Sequence, residues 1–261
     1  MILTVNIGNS STALGVYSQD AWLGRWRIRT VHERMPDEYS LMFERFLQRL
    51  GIQPGSVRRM MVASVVPQVT EMILQMARHD FAGEPLLVGP GVRTGLRIST
   101  ENPAEVGSDL VADAVAAYER FKSSCIVIDF GTALTFTAVA AGAKAAGGGD
   151  LLGVSIAPGL TYAVRALAQN TAQLPTVQLA RPPAAIGRNT IHSIQSGIIF
   201  GYVGMVEALV DRIKAELPAP VRVIATGGQV EVIAPLTDRV DEIEPWLTLE
   251  GLRLISERNP P

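Results

Sequence analysis

Apolar positions along the chain recur with two periods, and the alternation between them lays out the elements. Residues 1–30 read as three short strands, Ile2–Ile7, Thr12–Tyr17 and Trp22–Arg29. Gly8-Asn9-Ser10-Ser11 makes a tight turn between the first two. Asp37 opens a helix that runs to about Leu50 and is ended by Gly51. Arg59–Ser64 is an apolar strand, and Pro67 starts a second helix that reaches about His79. Leu86–Val88 and Leu96–Ile98 are brief strands. Ser108 is a plausible N-cap for a helix to Lys122, with Val111, Ala114, Val115 and Tyr118 on one stripe.

The pattern then starts again. Cys125–Phe130 is a strand, Gly131-Thr132 a turn, and Leu134–Ala140 a returning strand. The Gly/Ala-rich stretch 141–150 reads as a loose hairpin tip, followed by a third strand, Leu152–Ala157. Pro158-Gly159 turns into a helix to about Gln169, and Asn189–Glu216 forms a long helix. Its glycines Gly197, Gly201 and Gly204 fall on one face, which would let another helix approach closely. Val221–Ala225 is a strand that closes on Thr226-Gly227-Gly228, and Leu247–Arg258 is a final helix. Setting Val5 onto Ile128 aligns two strand–turn–strand units, each ending its first strand on a polar residue before x-Gly-polar. Similarity at half the chain length predicts two related α/β domains, 1–120 and 121–261, rather than a solenoid.

Composition narrows the function classes. The chain has 261 residues, 48% of them hydrophobic and 18% charged, enough for a sizeable core and incompatible with disorder. A formal charge of −2 gives no electrostatic footprint for nucleic acid or an anionic membrane surface. Only Lys122, Lys144 and Lys214 are lysines, and none follows a Gly-rich strand-to-helix turn, which excludes a Walker-type phosphate loop. No G-x-G-x-x-G follows a strand, so a dinucleotide fold is disfavoured. The one cysteine, Cys125, begins an apolar run and reads as a core thiol. No consecutive apolar run reaches the ~18 residues of a membrane helix, and no basic segment precedes the first apolar run. These features predict a soluble, cytoplasmic protein.

The chemistry concentrates at the two turns. Small and hydroxyl residues in a hairpin turn can aim N–H and O–H groups at phosphate oxygens without a lysine. Gly8 and Gly131 would allow close approach, while Asn9, Ser10, Ser11, Thr12 and Thr132 would donate. Asp129, ending a buried strand, is a candidate cation ligand; the competing reading is a strand-end Asp bonded to its own turn.

With these residues in place, the chain resembles the type III pantothenate kinases, members of the sugar-kinase/actin-like superfamily of duplicated ribonuclease-H-like domains. The matching motifs run nearly end to end: Asn6-Ile7-Gly8-Asn9-Ser10, Asp37-Glu38-Tyr39, Ser64-Val65-Val66-Pro67, and Asn102 to Asp109. Asp129-Phe130-Gly131-Thr132-Ala133, Ile156-Ala157-Pro158-Gly159 and Gly187-Arg188-Asn189-Thr190 follow. Gln195-Ser196-Gly197-Ile198, Thr226-Gly227-Gly228 and Leu247 to Leu252 close the series. The resemblance implies ATP-dependent phosphorylation of pantothenate, the first step towards coenzyme A, by a homodimer using Mg²⁺ and a monovalent cation (K⁺ or NH₄⁺). It makes Asp109 the general base. Gly107, Ser108, Leu110 and Thr100 would border pantothenate, with Thr190 reaching it from the partner subunit. Asp129 would hold the monovalent cation. Asn6, the first-turn residues Gly8 to Thr12, Thr132, Gly227 and Gly228 would serve the nucleotide.

Departures from the family pattern fall mostly on those sites. Asn6 stands where the family has Asp, and Leu110 where an Arg would pair with the pantothenate carboxylate. Losing that charge-assisted pair would weaken acid recognition by roughly 1.5–3 kcal/mol. Leu134 and Thr137 replace a Thr and an Asp of the second turn, Thr100 a Tyr, and Gly153-Val154 a double glycine. Two readings follow: a kinase slowed or altered in substrate or metal use, and a fold kept for binding or regulation after catalysis was lost. Asp109, Asp129, Gly131 and Thr132 favour the kinase.

Overall fold

A computed structural model describes residues 1–142 and 148–260; the central part of the expected 141–150 hairpin tip lies outside the described residues. The chain divides into two compact units, one made of residues 1–96, 101–116 and 247–261, the other of 97–100 and 117–246.

In the first unit, strands β1 (Ile2–Ile7), β2 (Ser11–Ser18) and β3 (Ala21–Arg29) form an antiparallel meander. Strands β4 (Arg59–Ser64) and β5 (Pro85–Leu87) add in parallel beyond β1, giving the order β3-β2-β1-β4-β5. Strand β1 alternates as strands must, so Leu3, Val5 and Ile7 face one way. They pack with Tyr39, Phe43 and Leu47 of α1 (Pro36–Gln48) and Val69, Ile73 and Met76 of α2 (Pro67–Asp80). The helix α7 (Leu247–Arg258) lies against β1, β2 and β4, with Leu249, Leu252 and Ile255 buried. A division at residue 120 puts 247–261 in the second domain, with its helix able to pack back across the junction; its apolar stripe completes the first unit.

Helix α3 (Ser108–Phe121) begins in the first unit. It meets α7 so closely that a Cβ added at Gly251 would collide with the Ala112 carbonyl.

The second unit repeats the plan. Strand β7 (Ser124–Phe130) pairs antiparallel with β8 (Ala133–Ala140), which pairs antiparallel with β9 (Gly149–Pro158). Strand β10 (Val221–Thr226) lies parallel to β7, and the two-residue β11 (Glu242–Ile243) parallel to β10. In order of appearance these strands are arranged as in the first sheet, with β6 (Leu96–Ile98) appended beyond β9. This is the duplication that the aligned turns predict. Ile126, Ile128, Phe130, Leu134 and Phe136 pack with α4 (Leu160–Gln169) and α5 (Thr190–Glu216). Helix α5 is long and apolar enough to span a membrane by composition, yet Ile194, Ile199, Tyr202, Val206 and Val210 are buried in this core. The short helix α6 (Val230–Ile233) and β11 were not expected; neither is long enough to show a period.

Candidate active site

The first turn is fastened by glycine and threonine. The Gly8 N–H donates to the Ser11 carbonyl at 3.0 Å, and the Thr30 N–H to the Ser10 carbonyl at 3.2 Å. The Thr30 hydroxyl donates to the Gly8 carbonyl at 2.7 Å and lies 3.0 Å from the Thr12 hydroxyl. Thr12 is fully buried, so its hydroxyl braces the turn from beneath and is not exposed to a phosphate, contrary to the sequence reading. Asn9 and Ser10 are exposed at the tip, with Ser11 half-buried beside them. Asn6, at the end of β1, has a buried Oδ1 without a hydrogen-bond partner.

The second turn is one residue tighter: the Gly131 N–H donates to the Ala133 carbonyl at 3.1 Å. The Gly159 N–H at the head of α4 donates to the Thr132 carbonyl at 3.1 Å, and a Cβ there would run into both turn carbonyls. From the other side comes the turn after β10, where the Gln229 N–H donates to the Phe130 carbonyl at 3.2 Å. Its Gly227 has φ +99°, and a Cβ there would strike Asp129 Oδ1. Three segments therefore meet at Asp129, and glycine is needed at the approach of two of them. Gly228 is exposed beside them.

Strand register adds residues the sequence did not single out. Thr135 sits opposite Asp129 and Thr137 opposite Val127, so both share the Asp129 face. Each is buried with a hydroxyl oxygen lacking a hydrogen-bond partner. In the sequence Thr137 stands only as the replacement of a family Asp, and nothing there points to Thr135.

Asp109 occupies the first turn of α3. The Val111 N–H bonds the Gly107 carbonyl at 3.1 Å, so Gly107 caps the helix and Ser108 is its first residue, not its N-cap. The Ser108 hydroxyl instead clamps the end of β4: it accepts the Ser64 N–H at 2.8 Å and donates to the Ser64 carbonyl at 3.0 Å. That engages its only proton, so the Ser108 side chain is not free to donate to a ligand. The Ser64 hydroxyl in turn accepts from Thr70 Oγ1 at 2.5 Å and from the Val66 N–H at 3.1 Å. The Ser-Val-Val-Pro motif is thus the socket of the helix that carries Asp109. Burial pushes the Asp109 carboxyl above the usual carboxylate range, partly offset by backbone N–H groups, one of them the Leu110 N–H at 2.9 Å from Oδ1. One turn on, Asp113 is 1% exposed, a buried carboxylate on the same helix face that the sequence reading did not note.

The remaining expected residues have their own local settings. Leu110 is half-buried beside Asp109. Thr100 has a buried Oγ1 without a hydrogen-bond partner. Thr190, exposed, starts α5 under an Asn189 N-cap whose Oδ1 accepts the His192 N–H at 2.8 Å. It lines a groove of about 290 Å³ with Leu167, Leu174 and Ile194. Among the described residues no cluster of three or more His, Cys, Asp or Glu could hold a metal by protein ligands alone. Cys125 is fully buried, and burial pushes its thiol up to about 12, which leaves it a neutral core residue.

A profile of the family described as Type III pantothenate kinase matches residues 2–212. Proteins named type III pantothenate kinase from Anaeromyxobacter sp. (strain K) and Myxococcus xanthus (strain DK1622) are each 43% identical over 259 residues. That covers 99% of this chain and 100% and 99% of theirs. A solved structure from Sinorhizobium meliloti that carries the name 2-dehydro-3-deoxygalactonokinase superposes with a TM-score of 0.59 at 13% identity, covering both chains fully. At that identity it speaks for the fold alone.

Proposed function

This chain belongs to the type III pantothenate kinase family, and on that premise we propose that Asp109 is the base of its phosphoryl transfer. The reaction is ATP-dependent phosphorylation of pantothenate to 4′-phosphopantothenate, in coenzyme A biosynthesis. Asp109 takes the proton of the primary hydroxyl, the hydroxyl oxygen bonds to the γ-phosphorus, and the bond to ADP breaks. The observation that carries this assignment is a carboxylate made more basic by burial on a helix start anchored by the Ser108–Ser64 clamp. Asp109→Asn should abolish ADP release while pantothenate and ATP still bind by calorimetry. Undiminished turnover would refute the assignment. No observation favours the non-catalytic reading weighed from the sequence.

A kinase of this class uses ATP with a divalent metal, and the donors present suit hard cations because they are oxygens without a closed protein cage. We assign Mg²⁺ as that metal, with the orphaned Asn6 Oδ1 as a neutral oxygen for it or its waters, and K⁺ or NH₄⁺ to Asp129. Bound cations supply charge neutralisation to the phosphates. In the first unit the exposed tips Asn9 and Ser10, with Gly8 and Ser11, and in the second unit Thr132, Gly227 and Gly228, are each assigned to the nucleotide. Thr135 and Thr137 offer two further oxygens on the Asp129 face. Leu110 and Thr100 are each assigned to the acceptor, and an apolar Leu110 weakens the hold on a carboxylate.

The homodimer is supported by an uncovered surface. A Cβ at Gly197, Gly201 or Gly204 would meet nothing within 4 Å. Ile156, Ile186 and Ile191 are 70%, 82% and 51% exposed. Exposed apolar side chains and, separately, a bare helix face fit contact with a second copy, which would bring Thr190 to the partner's pantothenate. Light scattering at micromolar concentration tests it; a monomer would leave Thr190 without substrate.

A further inference from the structure

At the other end of the first sheet, the starts of β4 and β5 open into a cavity of about 660 Å³ lined by none of the residues assigned above to the kinase reaction. Register places Arg59 beside Ile2 and Ser64 beside Ile7. The cavity thus lies a strand length, about 17 Å, from the turn that ends β1. Arg58, Arg59, Arg93 and Arg258 all line it. Some arginines elsewhere are matched to carboxylates, as in Arg97–Asp150, Arg120–Glu242, Arg239–Asp211 and Arg253–Glu250, while others among the described residues stand singly on the surface. Among the described residues Arg58, Arg59 and Arg93 make no ion pair. Glu84, the single carboxylate of the lining among the described residues, lies 2.8 Å from the guanidinium of Arg78, which is not part of the lining. The guanidinium groups of Arg58, Arg59 and Arg93 at one cavity, in a chain of net charge −2, are a local excess that wants an anion.

The walls are fixed in place rather than loose. Gly83 packs so tightly on the Arg58 backbone that a Cβ would collide with the Arg58 carbonyl. Asn259 grips the Arg93 backbone at both groups: Oδ1 accepts its N–H at 3.0 Å, and Nδ2 donates to its carbonyl at 2.9 Å. Arg258 donates to the Thr94 carbonyl at 3.0 Å and lies against Gly95, which has φ +83°. The end of α7 is thereby tied to the 91–95 loop, and that tie sets Arg93 and Arg258 on the rim. Met61 and Pro85 supply a buried apolar wall.

We propose that this cavity binds a small molecule bearing two or more phosphates. A guanidinium donates to phosphate oxygens through a planar fork, and the three positive charges of Arg58, Arg59 and Arg93 exceed the roughly −1.5 to −2 of one phosphate. The volume is that of a metabolite site rather than of a single ion.

Titration calorimetry of the full chain with tripolyphosphate, pyrophosphate and orthophosphate tests this. Affinity should fall in that order, and Arg58→Gln with Arg93→Gln should weaken tripolyphosphate by at least about tenfold. Both residues are exposed, so the melting curve should be unchanged. Hydrogen exchange on the natural protein gives a reading independent of any variant, with tripolyphosphate protecting 83–95 and 255–260. Equal affinity in the double variant, no binding by the natural protein up to about 5 mM, or protection confined to 6–12 and 129–132 would each overturn the assignment.

Discussion

Replacing Ser108 by Ala removes one hydroxyl that serves two backbone groups. The Ser64 N–H and carbonyl both lose their partner, at 2.8 and 3.0 Å, while the Thr70 and Val66 bonds to the Ser64 side chain remain. Each net hydrogen bond is worth about 1 kcal/mol, so the loss is about 2 kcal/mol. For a chain of this size that lowers the melting temperature by about 4–8 °C. The clamp also seats the first turn of α3, so Asp109 shifts with it, and kcat should drop about tenfold or more while the KM for ATP holds. Ser108→Thr keeps the hydroxyl and should retain most of both. The assay pairs thermal melts with coupled ADP release on the three proteins. A Ser108→Ala melt within about 1 °C of the natural protein would show that water replaces the clamp. Equal damage in Ser108→Thr would make the effect one of packing.

Because burial raises the Asp109 pKa above its unfolded value, its contribution to stability is present in acid and is lost as pH rises through the folded pKa. Asp109→Asn should therefore melt higher than the natural protein at pH 7–8, with the gap closing as pH falls towards the ordinary carboxylate value of about 4; a constant gap would contradict this. In the same sense, the acid limb of kcat/KM should lie above that ordinary value. Asn6→Asp combined with Leu110→Arg restores two charges, and pantothenate turnover should rise by at least about tenfold; adding Asp109→Asn should remove the gain, and a flat double variant would show that neither charge limits the reaction. Gly227→Ala places a Cβ on Asp129 Oδ1 at φ +99°, which should cost about 2–4 kcal/mol and raise the KM for ATP; an unchanged urea midpoint would refute the cradle.

Much of the fold was readable because its elements are long enough to show a period. The first and fourth strands were read as Ile2–Ile7 and Arg59–Ser64, which are their observed bounds. The repeat of strand, glycine turn and strand predicted a second sheet built in the order of the first, and that is what forms. What escaped was decided by partners distant in sequence. Ser108 looks like an N-cap because Ser commonly is one, yet its bond goes 44 residues back to Ser64. Thr12 looks like a phosphate donor until Thr30, brought across by β3, covers it. Thr135 gains interest only from lying opposite Asp129, which is a matter of register. Helix α7 shows its apolar stripe in the sequence, but not which sheet receives it.

That destination bears on how the chain is made. The second unit is nearly contiguous, 117–246, and its residues emerge together during synthesis. The first unit is split, its sheet complete by residue 87 but its covering helix beginning at Leu247. At about 5–20 residues per second, the 130 residues between Ala116 and Leu247 take roughly 6–26 s to synthesise. For that interval the α7-facing side of β1, β2 and β4 has no native cover. The half begun first is finished last, and it is the half that carries Asp109.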